Sequence, residues 1–397
     1  MTGDHLWIPA GDAARLLGVS RTTLYAYVSR GFIRSQAAAG STRQRTYSRD
    51  DVERLRRRTE ERRAPDKAAA RALQWGMPIL ESSIALIDGQ RLYYRGWDAT
   101  ALAATRSVAE VAALIWSGRF DAPVGSVSPA VNAPRTPLPF VTRAQSMLAG
   151  AAGQDPLAFD VRADGVARTG SRILRLLTTA ATGSDPGDLP VDAALARAWR
   201  VGERGADIVR AALILCADHE LNVSSFTARC VASAGSHPYA VVIAGLAALE
   251  GPRHGGASAR VASMLAAARG VRPVRTVIAD RLRRGESVDG FGHPLYRDGD
   301  PRAAALLVLL RERYRASAEY RFVTGFAKAA SEATHERPNL DFALAAVARV
   351  LRLPVESPLM LFAIGRTIGW TGHAIEQYAT GQLIRPRAKY VGVKPPA

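Results

Sequence analysis

ALARAWRVGERGADIVRAALILCADHE, residues 194–220, decides the fold class. Its apolar residues recur at helical spacing, and its many alanines let neighbouring helices approach closely. The same pattern returns in VAEVAALIWSG, ILRLLTTAAT, PYAVVIAGLAALE, ASARVASMLAAARG, PRAAALLVLLRERYRA, FALAAVARVLRL and PLMLFAIGRTIGWTGHAIEQY. Strands do not alternate with these runs, so a parallel sheet is not expected. Ahead of them, SSIALI and RLYYRG are joined by Asp88-Gly89, a β-hairpin signal. Residues 118–170, rich in proline and glycine, show no clear element. The expected class is all-α, with reactive groups on helix ends and on the loops between helices.

A chain of 397 residues exceeds one small core and suggests two or three domains. No apolar run reaches membrane-spanning length. The start, MTGDHLWIPAGD, has acids where a secretory signal carries basic charge, so a cytoplasmic protein is expected. Cys216 and Cys230 are the two cysteines and form no C-x-x-C pair, which argues against a metal site or a disulfide framework. The net charge is +17, and only four of the 53 basic residues are lysine. Arginine grips carboxylate and phosphate with a planar fork. Such a chain attracts nucleic acid, phosphorylated cofactors or polycarboxylates, and charge alone does not choose.

Residues 1–62 read as a separate module. WIPAGDAARLLGVSRTTLYAYVSRGFI predicts a helix over about 11–17, a tight turn at Gly18 and a second helix capped by Ser20. Val19, Leu24 and Val28 are expected to face Ala14 and Leu17, leaving Arg21, Thr22 and Tyr25 outward. AAAGSTRQRTYSRDDVERLRRR then predicts a small-residue hairpin with Arg43 and Arg45 at its tip. A helix with arginines at 54, 56, 57 and 58 follows. Over residues 6–56, LLGVSRTTLY, the GFI after it and TYSRDDVERL resemble the winged helix-turn-helix of the MerR and excisionase families. The resemblance implies contact with double-stranded DNA through Arg21, Thr22, Tyr25, Arg43 and Arg45, the wing lying on phosphates. A helical module for protein contacts is the plainer alternative. ERRAPDKAAARA marks a linker over 63–75.

Polar clusters interrupt the helical remainder. ADHELNVSS holds His219, Asn222 and Ser224; EGPRHGGASA holds His254; GFGHPLYRDGDPR holds His293 and Arg302. NLDFALAAVARV opens with Asn339 and Asp341; GRTIGWTGHAIEQY supplies Arg366 and His373; LIRPRAKY supplies Arg385 and Arg387. Singly, each has a plain explanation. A histidine beside glycines can cap a helix, Asp341 can be an N-cap, Arg366 can bind carbonyls, and the last arginines can be a solvated tail. Together they suit a substrate with two or more carboxylates. Arginines orient it, histidines donate to oxygens that become negative, and a lone aspartate removes a proton beside an activated carbonyl.

These segments, with ESSIALIDGQRLYYRGWD, GPRHGGA and IRPRAKYVG, resemble the citrate synthase family in order and spacing over residues 76–395. The resemblance implies an all-α, two-domain fold over 76–397, with a small domain at approximately 255–355, acting as a homodimer. It implies condensation of acetyl-CoA or propionyl-CoA with oxaloacetate and no permanently bound cofactor. By resemblance, Asp341 takes the proton and His254 stabilises the enol, oriented by Ser224 and Asn222. A helix start at His254 would keep that imidazole neutral. His293 polarises the ketone; His219, Arg302 and Arg366 hold carboxylates; Arg385 comes from the other subunit. Gly290, Phe291, Gly292 and Asn339 touch CoA. On this reading Pro294 and Pro301 stiffen the loop 290–303. Ser258 stands where the family often has asparagine. A DNA-binding regulator that uses the domain as a metabolite sensor is the alternative.

Overall fold

The computed structural model describes residues 7–38, 41–53, 55, 80–122, 138–270, 273–388, 390–393 and 395. The chain divides into two compact units, Met1–Glu81 and Ser82–Ala397. In the first, β1 (Trp7–Pro9), α1 (Ala10–Leu17), α2 (Arg21–Ser29), β2 (Ser35–Ala38) and β3 (Ser41–Ser48) follow one another. Gly18 ends α1 at φ 64°, a conformation open to glycine at little cost. The Ser20 hydroxyl accepts the Thr23 N–H at 3.2 Å and so caps α2. The strands form an antiparallel sheet in the order β1-β3-β2.

Leu24 and Ala14 are buried here with Ala13, Ile33, Tyr47 and Val52, and Leu17 and Val28 pack against them. Val19 does not join this core; it is half-buried in the turn before Ser20. Arg21, Thr22 and Tyr25 are exposed. Arg45 is not at the hairpin tip: β3 already begins at Ser41, and Arg45 stands opposite Ala37, exposed. Arg43 also lies within β3, and its side chain is outside the described set. Residues 49–53 are helical, and Asp51 accepts the Arg34 Nε–H at 2.8 Å. The arginines at 54 and 56–58 and the linker 63–75 lie outside the described residues.

The second unit opens with β4 (Ala85–Asp88), β5 (Arg91–Tyr94) and β6 (Trp97–Asp98), an antiparallel meander. Asp88 pairs with Arg91, so the turn residues are Gly89 and Gln90, and Asp88 closes the strand. Helices follow: α3 (Ala99–Thr105), α4 (Val108–Ser117), α5 (Phe140–Ala152), α6 (Ala163–Thr182), α7 (Val191–Ala198) and α8 (Gly202–Cys216). Then come α9 (Val223–Ser233), α10 (Pro238–Glu250), α11 (Gly256–Ala267), α12 (Val274–Arg283), α13 (Pro301–Tyr314), α14 (Ala318–Thr334), α15 (Leu340–Val350) and α16 (Ser357–Thr380). The run 194–220 is thus two helices. Arg200 and Gly202, at φ 56° and 62°, break it between α7 and α8. The stretch 118–170 contains α5 and the start of α6, with 123–137 outside the described residues.

α16 is the central helix. It packs on α4, α6, α8, α9, α10, α11 and α15 and is buried on nearly all sides, as an apolar helix with few charges must be. Gly369 permits this: a Cβ there would lie 2.3 Å from the Ala217 carbonyl oxygen. Its N–H instead donates to that oxygen at 3.0 Å. α11 to α15 form a second group, in which α11, α13 and α14 pack on α15, and α12 packs on α14. Among the described residues no helix is long and apolar enough to cross a membrane.

Candidate active site

One corner is built on the start of α9. The Asn222 side chain caps that helix, its Oδ1 accepting the N–H groups of Ser224 at 3.1 Å and Ser225 at 3.2 Å. Ser224 Oγ then lies 2.8 Å from His254 Nε2 and accepts the Trp370 Nε1–H at 3.2 Å. The hydroxyl has one proton, and Asn222 Oδ1 at 2.8 Å already holds two backbone bonds. Donated to Asn222 Oδ1, that proton leaves Ser224 to accept from His254 Nε2–H; donated to His254 Nε2, it leaves the imidazole's own hydrogen on Nδ1. Burial lowers the His254 pKa to about 4, and the Arg366 charge adds to this. Burial, not the helix dipole, is the largest cause. The His254 ring stands edge-on to Phe362 at 5.7 Å, and the Arg366 guanidinium lies over that same ring at 4.8 Å.

The second corner is the start of α15. Asn339 is its cap, accepting the N–H groups of Asp341 and Phe342 at 3.1 and 3.4 Å. Asp341 is therefore not the cap, and its carboxyl instead accepts a hydrogen bond from the Ser258 hydroxyl on α11. Burial raises the Asp341 pKa to about 6, against the pull of Ser258 and of the Arg302 charge. The segment 290–292 is fastened beside it. Asn339 N–H donates to Gly290 O at 2.9 Å, Asn339 Nδ2 to Gly292 O at 3.0 Å, and Gly292 N–H to Arg337 O at 2.8 Å. Phe291 bridges to Pro338. Gly290 sits at φ 88°, where a Cβ would come within 2.9 Å of Val261, so a side chain does not fit.

His293, His219 and two arginines make the third group. His293 Nδ1 accepts the Leu295 N–H at 3.1 Å, which puts the ring proton on Nε2. Burial, then Arg302, lowers the His293 pKa to about 4. His219 Nε2 is 3.0 Å from the Tyr296 hydroxyl, and the two histidine rings lie 5.1 Å apart. Burial, with the charges of Arg302 and Arg366, holds His219 well below its ordinary pKa. Arg302 is not in the loop. Asp300 caps α13, Pro301 takes its first position and Arg302 the next, so Pro301 starts a helix and does not stiffen a loop.

Asp300 accepts Arg302 Nε and Nη2 at 2.9 and 2.8 Å and also the Leu340 N–H at 3.1 Å, joining α13 to α15. Burial works against the Arg302 charge, but Asp300 outweighs it and raises its pKa. Arg366 Nε donates to Cys216 O at 2.8 Å, so the carbonyl reading of Arg366 holds for one edge. Among the described residues its Nη groups have no hydrogen-bond partner. Burial lowers its pKa.

His254, His293, Asp341 and Asn339 are half-buried, whereas His219, Arg302, Arg366, Ser224 and Ser258 are buried. His254, His293 and Asp341 thus keep some access. Arg385 is exposed beyond the end of α16, and among the described residues no hydrogen bond or ion pair joins it to these side chains. Arg21, Thr22, Tyr25 and Arg45 belong to the other unit. His373, buried, pairs with Asp218 at 3.2 Å. Among the described residues no group of three or more His, Cys, Asp or Glu could hold a metal ion.

Sequence reasoning missed Ser258, Trp370, Asp300 and Tyr296 as members of the site. Trp370 had a signal: it lies four residues after Arg366, on one helical face. Asp300 had one too, as an acid directly before a proline that opens a helix.

The family profile "Citrate synthase, C-terminal domain" matches residues 164–387, and "Helix-turn-helix domain" matches residues 10–59. Citrate synthase 2 of Bacillus subtilis is 39% identical over 184 residues, covering 46% of this chain and 50% of its own length. A Mycobacterium tuberculosis protein described as a candidate citrate synthase 2 is 34% identical over 345 residues, covering 78% of this chain and 88% of its own. The crystal structure of citrate synthase from Thermotoga maritima superposes with a TM-score of 0.66 at 27% identity, over 81% of this chain and 96% of that one. The chain belongs to the citrate synthase family: it is a citrate synthase-type enzyme with a helix-turn-helix domain ahead of the catalytic unit.

Proposed function

We propose that the second unit condenses an acyl-CoA, acetyl-CoA or propionyl-CoA, with oxaloacetate. Asp341 removes a proton from the carbon beside the thioester carbonyl, and His254 donates to the carbonyl oxygen as the enol forms. His293 donates through Nε2 to the ketone oxygen of oxaloacetate, whose carboxylates are held by His219, Arg302 and Arg366. The enol carbon bonds to the ketone carbon, giving an alcohol that is still a CoA thioester. Water cleaves that thioester, releasing the CoA thiol and citrate or 2-methylcitrate and making the sequence irreversible. Gly290, Phe291, Gly292 and Asn339 line the acyl-CoA side. Two copies pair through the catalytic unit, and Arg385 of one completes the other's site.

The reading is carried by geometry, Ser224 against His254 Nε2 and Ser258 against Asp341 with Asn339 holding Gly290 and Gly292 beside it, and is supported by the protonation states. With Asp341 near 6 and His254 and His293 near 4, the base is ionised at neutral pH and both imidazoles are neutral donors. Thiol release from acetyl-CoA or propionyl-CoA plus oxaloacetate is therefore expected, with a rate that rises through a pH of about 6 as Asp341 ionises. No release with either donor removes this reading. One methylene distinguishes the donors, and such discrimination is worth about 10- to 200-fold.

A second reading is favoured by the first unit. Ser20 starts α2 so that Arg21, Thr22 and Tyr25 stand exposed along one side, and Arg45 projects from the wing strand. On this reading α2 enters the major groove of double-stranded DNA and the wing meets phosphates. Gel shifts with DNA from upstream of the coding region are expected to weaken steeply with salt, because each phosphate contact releases counterions. Retention that ignores salt argues against it. Adding oxaloacetate tests whether the catalytic unit acts as a sensor.

A further inference from the structure

We infer that Ser258 is a positioning residue for the reaction: its hydroxyl holds one oxygen of Asp341 and leaves the other to take the proton. The inference rests on Asp341 being the base. Ser258 is fully buried in the first turn of α11, and its hydroxyl donates to Asp341 Oδ1 across to α15. Many helical serines and threonines in this chain behave otherwise, although Ser224 of the site also bonds across helices. Ser117, Ser146, Ser171 and Thr178 each turn back on the carbonyl four residues earlier, at 2.8, 2.9, 3.0 and 2.8 Å. Ser258 gives up that local bond for one to a residue 83 positions away, on another helix.

The consequence is geometric and electrostatic. Ser258 follows His254 by four residues, so one short segment carries both the enol donor and the group that aims the base. Among the described residues no other side chain donates a hydrogen bond to Asp341. The charged and titratable groups that act on it are Arg260 on α11, Asp300 and Arg302 at the start of α13, and Cys216 on α8. Arg260 is itself engaged with Asp289 at 3.2 Å, and Arg302 with Asp300 at 2.8 Å. A neutral hydroxyl favours the ionised carboxyl against burial without the strong pull of a direct arginine contact. Loss of that donor should leave the base protonated over a wider pH range.

The test is kcat/KM for the acyl-CoA against pH, for wild type, Ser258→Ala, Ser258→Cys, Ser258→Thr and Asp341→Asn. The alanine and cysteine variants are expected to move the rising limb up by about one pH unit, a typical effect of one lost donor. At pH near 6 this is a roughly 5-fold loss that shrinks above pH ~8, with the KM for oxaloacetate unchanged. Ser258→Thr keeps the hydroxyl and should keep the wild-type limb. If Ser258→Ala does not fold, Ser258→Cys, which differs by one atom, carries the test. A limb that stays in place for alanine and cysteine, or that moves equally for threonine, overturns the inference. Asp341→Asn separates the two failures. If it is inactive while the limb stays put, only Ser258 is misassigned; if it keeps wild-type rate, the base assignment fails first.

Discussion

Asp341→Asn is expected to lower kcat about 10³-fold while making the protein more stable at neutral pH. The loss follows from removing the proposed base; an amide accepts no proton from carbon. The gain follows from linkage. The Asp341 pKa lies at about 6 in the folded chain against an ordinary 3.8, so between those values the folded state binds more protons than the unfolded one. Stability from this group is fully present below the ordinary value and is lost as pH rises through about 6. At pH 7 the wild type therefore bears a penalty that asparagine, which can still accept from Ser258, does not. The two-unit shift corresponds to roughly 3 kcal/mol, discounted to about 1–2 kcal/mol because the residue keeps some exposure. Thermal unfolding should place the variant about 3 °C above wild type at pH 7, with the gap closing by pH ~4. Equal melting at pH 7 would mean that Asp341 is not strained by burial.

The polar clusters were legible because each interrupts an apolar helical rhythm with glycine, proline or a capping residue. Asn222, Asp300 and Asn339 cap helices, and Ser224, Arg302 and Asp341 each sit two residues after one of these caps. Local rules therefore locate the site. They do not assemble it. That Ser258 reaches Asp341, or that Trp370 reaches Ser224 over 146 residues, depends on how α11, α15 and α16 pack. A tryptophan in an apolar helix reads as core until its N–H is seen to need a partner. The hairpin erred by one residue because Asp-Gly marks a turn without fixing which residue closes the strand. The His254 reading named the dipole because a helix start is visible in sequence, whereas burial is not.

Arg302→Met is expected to fail in two separable ways. Asp300, 2% exposed, would keep the N–H groups of residues 302 and 340 but lose its counter-charge. A buried carboxylate left without its partner typically costs 3–5 kcal/mol, roughly half the stability of an ordinary domain. On the proposed mechanism oxaloacetate binding should weaken as well, because Asp300 occupies Nε and Nη2 of Arg302 and leaves Nη1 to hold a substrate carboxylate. A rise of about 100-fold in the KM for oxaloacetate corresponds to one charge-assisted hydrogen bond of ~3 kcal/mol. The double variant Asp300→Asn/Arg302→Met distinguishes the two losses. Asparagine still accepts the backbone N–H groups and brings no orphaned charge, so denaturant unfolding should recover most of the lost stability. The KM should stay high, since nothing replaces the guanidinium. If the double variant recovers binding together with stability, Arg302 is a structural arginine whose effect on oxaloacetate is indirect. If the single variant unfolds at the wild-type midpoint, the carboxylate is already neutral and Asp300 is not the anchor joining α13 to α15.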